Sequence, residues 1–207
     1  AAFLLELAEA TGKNGFKEEA IGGLEFLLEA QHSSGGWANV YPLRVKEGFK
    51  EEEIVENQLS FNDNATQSSI ELMLKAYQIL GDKRFIESAI KGGEFILRTQ
   101  DKKLGGWAQQ YNPITLEPSW GRGRIDKYEE DTLSIYKTSR DKDGAMAVAI
   151  EPPGLYTSRS VYVIKTLMNL YLQTGDKRFI ESAEKGTGFL ERHISDKTAE
   201  YVEIPEH

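Results

Sequence analysis

The chain has 207 residues, 40% of them hydrophobic, no cysteine and a formal charge of −8. That is about one domain's length with apolar content for one core, and it excludes disulfides, thiolate metal sites and cysteine redox chemistry. The basic residues are scattered among Glu and Asp, which argues against a nucleic-acid binder, and no apolar run approaches the roughly 20 residues that span a bilayer.

The opening AAFLLELAEATG lacks a basic leader region and a small-residue cleavage site. Glu6 and Glu9 interrupt its apolar stretch, so it reads as a helix of the fold over about residues 2–11. From Gly12 the sequence GKNGFKEEAIGGLEFLLEAQ predicts a second helix over 16–31. A long connection, 32–62, ends in Asn62-Asp63, a helix-start signal for 64–80. The nonapeptide GDKRFIESA at Gly81–Ala89 opens the next helix, 84–99. A second long connection, 100–157, follows. Its stretch Lys127 to Arg140 reads as a solvated charged excursion, and DGAMAVAIEPPGLY as a short strand pair before the turn at Pro152-Pro153. Thr157-Ser158 marks the start of a helix over 158–174. GDKRFIESA then recurs at Gly175–Ala183 and opens the helix over 178–193.

Gly12 begins a third, diverged copy of the same unit, so the chain is a repeat of helical hairpins. Phe85, Ala89, Phe95 and Ile96, with Phe179, Ala183, Phe189 and Leu190, form the predicted core stripes. The expected fold is all-α: one domain over 1–207, a small α/α toroid of three hairpins. Connections this long usually do something, so function is expected where they converge at one end.

The first two hairpins end in QHSSGGW (Gln31 to Trp37) and QDKKLGGW (Gln100 to Trp107); the third has lost this element. The pattern resembles the QW motif that ties helix ends to turns in terpene cyclases and related α/α toroids, which makes it a structural clasp. It is equally compatible with Trp37, Tyr41, Trp107 and Tyr111 lining a groove in which rings stack on sugars. Asn62, Asp63 and Asn64 stand before a helix, where Asp63 reads either as an N-cap or as a site residue.

GGWANVYPLR (Gly35 to Arg44), SFNDNA (Ser60 to Ala65), WAQQYNPITLEPSWGR (Trp107 to Arg122) and EPPGLYTSRS (Glu151 to Ser160) together resemble, in order, the successive motifs of the family 10 pectate lyases. TLEPSW is the most specific match. The resemblance implies a toroid of three hairpins and calcium-assisted β-elimination of polygalacturonate, an acidic polysaccharide, by a secreted or periplasmic protein. In that chemistry a base takes the C5 proton and the uronate charge must be neutralised. The resemblance places Asp63 on the family's calcium- and substrate-binding aspartate. It places Asn112 on a second aspartate, where an amide supplies an oxygen but no charge. Arg122 matches a family arginine, with an ion pair to Glu117 as its structural reading. Arg159 replaces a glutamate, and Arg44 closes the first motif. Substrate-binding residues are thus expected at Trp37, Tyr41, Arg44, Asp63, Trp107, Asn112, Arg122 and Arg159, with Asp63 and Asn112 toward a metal.

The family's catalytic arginine follows the last hairpin. Here ISDKTAEYVEIPEH contains no arginine, so the usual base falls on no residue of this sequence: either the sequence is part of a longer chain, or another residue serves, with Arg124, Lys137, Arg140 and Lys142 as candidates, or the protein does not catalyse. A non-catalytic glycan-binding relative on the same scaffold is the alternative. His32, His193 and His207 show no zinc spacing, and neither a nucleophile elbow nor a P-loop occurs. A glycoside hydrolase using Asp63 with Glu117 or Glu151 ranks below the lyase. Oligomeric state is not readable.

Overall fold

The computed structural model describes residues 1–43, 50, 57–119 and 154–193, and the backbone of 201–202. Arg44, Arg122, Arg124, the charged stretch Lys127 to Arg140, Lys142, Glu151 and His207 lie outside the described residues, as does the strand pair expected before Pro152-Pro153. Among those described are six α-helices: α1 Ala2–Thr11, α2 Asn14–Ala30, α3 Ala65–Leu80, α4 Lys83–Thr99, α5 Thr157–Thr174 and α6 Lys177–His193. Each begins within two residues of its expected place. They form three hairpins, α1 with α2, α3 with α4 and α5 with α6, and neighbouring hairpins touch through α1–α3 and α3–α5.

The turns are short because two residues do the work of a loop. Gly12, Gly81 and Gly175 end α1, α3 and α5 in left-handed conformation, each N–H donating to a carbonyl four residues back at 2.8 Å. Asp82 and Asp176 then cap the next helix, their carboxylates accepting from the N–H of Arg84 at 2.9 Å and of Arg178 at 3.0 Å. Lys13 stands at this place in the first copy, and α2 has no side-chain cap.

The nonapeptide does more than start a helix; it couples each hairpin to the one before. Arg84 reaches back to Glu25 of α2 with two bonds, at 3.0 and 2.7 Å, and Arg178 to Glu94 of α4 at 2.6 Å. Ser88 and Ser182 receive the glutamine of the preceding clasp. The Gln31 amide donates to Gly35 O at 2.8 Å and Ser88 O at 2.9 Å, and accepts from the Ser88 hydroxyl at 2.9 Å. Gln100 repeats this with Gly105 O, Ser182 O and the Ser182 hydroxyl at 2.8, 2.9 and 2.8 Å. Each clasp lies so close to its receiving helix that only glycine fits. A Cβ on Gly35 would stand 2.2 Å from Lys91 O, and one on Gly105 2.8 Å from Lys185 O.

The expected core stripes are all buried, and Phe61, Trp37, Trp107 and Tyr111 join them. Phe61, Phe95 and Tyr111 meet with ring centroids 5.4 to 5.9 Å apart, spacings at which tilted aromatic pairs attract.

Candidate functional site

The two long connections meet at one rim of the hairpins. Their ends form a ribbon of short strands: Ala38 bridges Leu59, β1 (Leu59–Ser60) pairs antiparallel with β2 (Gln110–Tyr111), and Ala108 bridges Leu155 of β3 (Leu155–Tyr156), which pairs with β4 (Tyr201–Val202). The strand at 155–156 follows Pro152-Pro153 in sequence and pairs with residues near the end of the chain. Leu59, Phe61 and Tyr111 face the core, so period-two alternation turns Ser60 and Gln110 to the opposite face.

Both clasp tryptophans are structural. Trp37 is 2% and Trp107 0% exposed. Their indole N–H groups donate to Leu27 O at 2.8 Å and Ile96 O at 3.0 Å, and their backbone N–H groups to the hydroxyls of Thr66 and Ser160, each at 3.2 Å. Neither ring has a face free for a sugar, which corrects the groove-lining expectation. Tyr111 is likewise interior. Its hydroxyl accepts from Ala108 N at 2.6 Å and donates to Thr99 O at 3.1 Å, and burial pushes its acidity far below that of an ordinary phenol. Of the four expected aromatics, Tyr41 alone is partly exposed.

Asp63 is not a helix cap. The cap of α3 is Asn64, with no side-chain hydrogen bond. Asp63 and Asn64 are both left-handed, at φ 50 and 57, a conformation that costs a non-glycine residue about 1 kcal/mol. The nonapeptides lie 94 residues apart, and the same offset matches Thr66 to Ser160, whose hydroxyls make the same bond to a clasp. It matches Asp63 to Thr157, which is ordinary helix, so the architecture does not require the strained turn. The offset also matches Ala65 to Arg159. The side chain of Asp63 is exposed and makes no hydrogen bond or ion pair among the described residues.

The turn Asn62–Asn64 packs against α5, whose third residue is Arg159. The Arg159 Nε is buried without a partner among the described residues, at the positive end of a helix where a cation is least welcome. Buried amide oxygens without a described partner gather in the same segments: Asn64, Gln67, Gln109 and Gln110. Leaving such groups unmade costs about 1–3 kcal/mol each, and native proteins keep few of them. Sequence reasoning missed these amides because a glutamine in a motif carries no sign of whether its partner is protein or ligand.

Asn112 is not brought to this turn. The antiparallel register carries it away from Asp63, and its side-chain oxygen accepts from the N–H groups of Ile114 at 2.8 Å and Thr115 at 3.0 Å. Both lone pairs are used in that turn. Asp63 thus offers a cation one carboxylate, against the roughly six to eight oxygens calcium takes. No group of three or more His, Asp or Glu able to hold a metal occurs among the described residues. The described residues do not fit a resident calcium.

The architecture is that of the α/α toroids. Similar solved structures are family 10 polysaccharide lyase from Cellvibrio cellulosa and its point mutant in complex with trigalacturonic acid. Each has a TM-score of 0.62 and 22% identity, over 89% of this chain and 50% of that chain. The GH76 α-mannanase of Bacteroides thetaiotaomicron follows with a TM-score of 0.53 and 16% identity, over 91% and 41%. The chain spans about half the length of these structures. No curated protein matches it. A family model described as pectic acid lyase matches residues 1–140. The chain belongs to the pectic acid lyase family.

Proposed function

We propose that this protein binds an acidic glycan of the polygalacturonate type across the rim and acts on it, or on a related uronide, by β-elimination. The observation that carries the reading is the strained Asp63–Asn64 turn beside Arg159, whose buried Nε has no partner among the described residues. A family relative seen with trigalacturonic acid supports the class of ligand.

In this reading Arg159 takes a uronate carboxylate. The ion pair spreads the negative charge that must grow on the sugar when its C5 proton leaves, the most demanding part of the step. The Oε1 of Gln110, which has no partner among the described residues, receives a sugar hydroxyl. The exposed carboxylate of Asp63 orients the saccharide, through a hydroxyl or through a cation shared with it. Calcium belongs to the proposal only as an ion held largely by the substrate's own carboxylates. No described residue is assigned as the C5 base. A family member acting on plant polysaccharide is expected to be secreted or periplasmic.

The test is incubation with polygalacturonate at alkaline pH, with and without calcium, while following the absorbance of unsaturated uronide, together with affinity electrophoresis in pectin gels. Turnover supports the lyase. Retarded migration without turnover assigns a non-catalytic glycan-binding relative. Neither turnover nor retardation for any acidic glycan sinks the proposal.

A further inference from the structure

The second helices of hairpins two and three each receive a clasp through five equivalent positions. On α4, Ser88 binds Gln31, Lys91 O is approached by Gly35, Gly92 makes room for the Trp37 ring, Gly36 lies on the ring of Phe95, and Arg98 donates to Ser34 O. On α6 the same roles fall to Ser182, Lys185, Gly186, Phe189 and Arg192, with Arg192 donating to Leu104 O at 2.7 Å. Phe95 and Phe189 are both 0% exposed beneath their clasps.

The equivalent positions on α2 are Glu19, Gly22, Gly23, Phe26 and Glu29. Phe26 is 51% exposed. A Cβ on Gly23 would meet nothing nearer than Ala1 at 3.4 Å, and one on Gly22 nothing within 4 Å. The slot is therefore present, and among the described residues no clasp fills it. Its aromatic floor and the glycine equivalent to Gly92 and Gly186 are kept, and the Tyr41 ring stands against one edge of Phe26 at 5.6 Å and 80°. Three positions have changed. Gly22 replaces the lysine whose carbonyl a clasp glycine approaches. Glu19 replaces the serine that accepts the clasp glutamine, and Glu29 replaces the arginine that donates to the clasp backbone. Glu29 now accepts from the Tyr41 hydroxyl at 3.0 Å.

We propose that this face of α2 is a docking slot for an extended peptide segment of a partner protein that carries two adjacent glycines preceded by a lysine or arginine. The glycine pair is required by the shape of the slot, since both filled slots admit glycine alone against the helix. The basic residue is required by charge. A neutral glutamine suits Ser88 and Ser182, whereas the α2 slot presents carboxylates at two of its three altered positions, Glu19 and Glu29, and a cation lowers the free energy where a neutral amide would not. The partner's Gly-Gly backbone lies on Phe26, covering the apolar surface that hairpins two and three cover from within.

The probe is a set of synthetic peptides followed by backbone chemical shifts in the intact chain: the chain's own clasp sequence QHSSGGW, the same peptide with Lys for Gln, and the Lys peptide with Ala-Ala for Gly-Gly. The Lys peptide is expected to shift the resonances of Gly22, Gly23, Phe26 and Glu29 and to bind about 5-fold or more tightly than the Gln peptide, with the difference shrinking in high salt. The Ala-Ala peptide is expected not to bind. Phe26→Ala, at an exposed position that leaves the fold intact, abolishes the shifts, and Glu29→Gln removes the preference for lysine. The proposal is overturned if the Lys and Ala-Ala peptides behave alike or if Phe26→Ala leaves binding unchanged. It is equally overturned if the chain self-associates through Phe26 at the concentrations used, which would make the occupant a second copy.

Discussion

Replacing Gln100 by alanine tests the coupling of hairpins most directly. The amide makes three bonds, two donated to Gly105 O and Ser182 O and one accepted from the Ser182 hydroxyl, all between 2.8 and 2.9 Å. Gln100 lies just past α4 in extended conformation, so its loss carries no helix-propensity term. At about 1 kcal/mol net per hydrogen bond, the variant loses about 3 kcal/mol. Gln31→Ala removes the same three bonds at 2.8, 2.9 and 2.9 Å and loses a similar amount. Ser182→Ala combined with Gln100→Ala costs less than the two separately, by about 1 kcal/mol, because one bond is counted twice. Urea unfolding followed by circular dichroism measures all four proteins, with unchanged slopes as the check on a common unfolded state. The Gln100 clasp holds the segment running to Gln110 against the hairpin that carries Arg159, so uronide affinity also falls. A loss below about 1 kcal/mol, or strict additivity with Ser182→Ala, would refute the coupling argument.

Other outcomes follow from the rim and from the turns. Asp63→Asn keeps the left-handed turn and removes a charge that makes no described bond, so stability shifts by less than about 0.5 kcal/mol while calorimetry shows weaker uronide binding; unchanged binding removes Asp63 from the site. Arg159→Ala lowers that affinity about 10-fold or more, the worth of a charge-assisted bond, yet leaves Tm unchanged or raised because a buried donor with no partner among the described residues is gone. Trp107→Ala, measured by the same urea unfolding, costs about 3–5 kcal/mol as a core deletion, and a cost near zero would return the indole to the groove. The Arg84 and Arg178 guanidiniums hold the Asp82 and Asp176 carboxyls below their ordinary value of 3.8. Their contribution is therefore present above that value and is lost as pH falls through the lowered ones. Asp82→Asn with Asp176→Asn flattens the acid limb of the stability curve below about pH 4 and leaves its shape at neutral pH unaltered, as acid titration of unfolding will show.

The repeat explains why the candidate site is small and local. Matching hairpins two and three position by position accounts for most of the rim as scaffold: the clasps, the serine and threonine hydroxyls that hold them, and the strand ends. What remains unmatched is the left-handed Asp63–Asn64 turn and Arg159, and these are adjacent.

Much of this was legible in the residues alone. Two identical nonapeptides and their diverged relative announce hairpins because local chemistry suffices there. Glycine ends one helix, aspartate starts the next, and the apolar spacing chooses the buried face without reference to distant parts of the chain. The order of four motifs likewise announced the family. Three things waited for the tertiary structure, each because it depends on what lies opposite. A tryptophan after two glycines reads the same whether its ring meets a sugar or a neighbouring helix, and packing against Gly92 and Gly186 decided for the helix. An aspartate before a helix reads as a cap until its backbone proves left-handed and its carboxylate proves to have no partner among the described residues. Asn112 reads as a cation ligand until two N–H groups of its own turn are found on its oxygen. Local pattern sets which elements form; only the approach of distant segments determines which side chains are left over for a ligand.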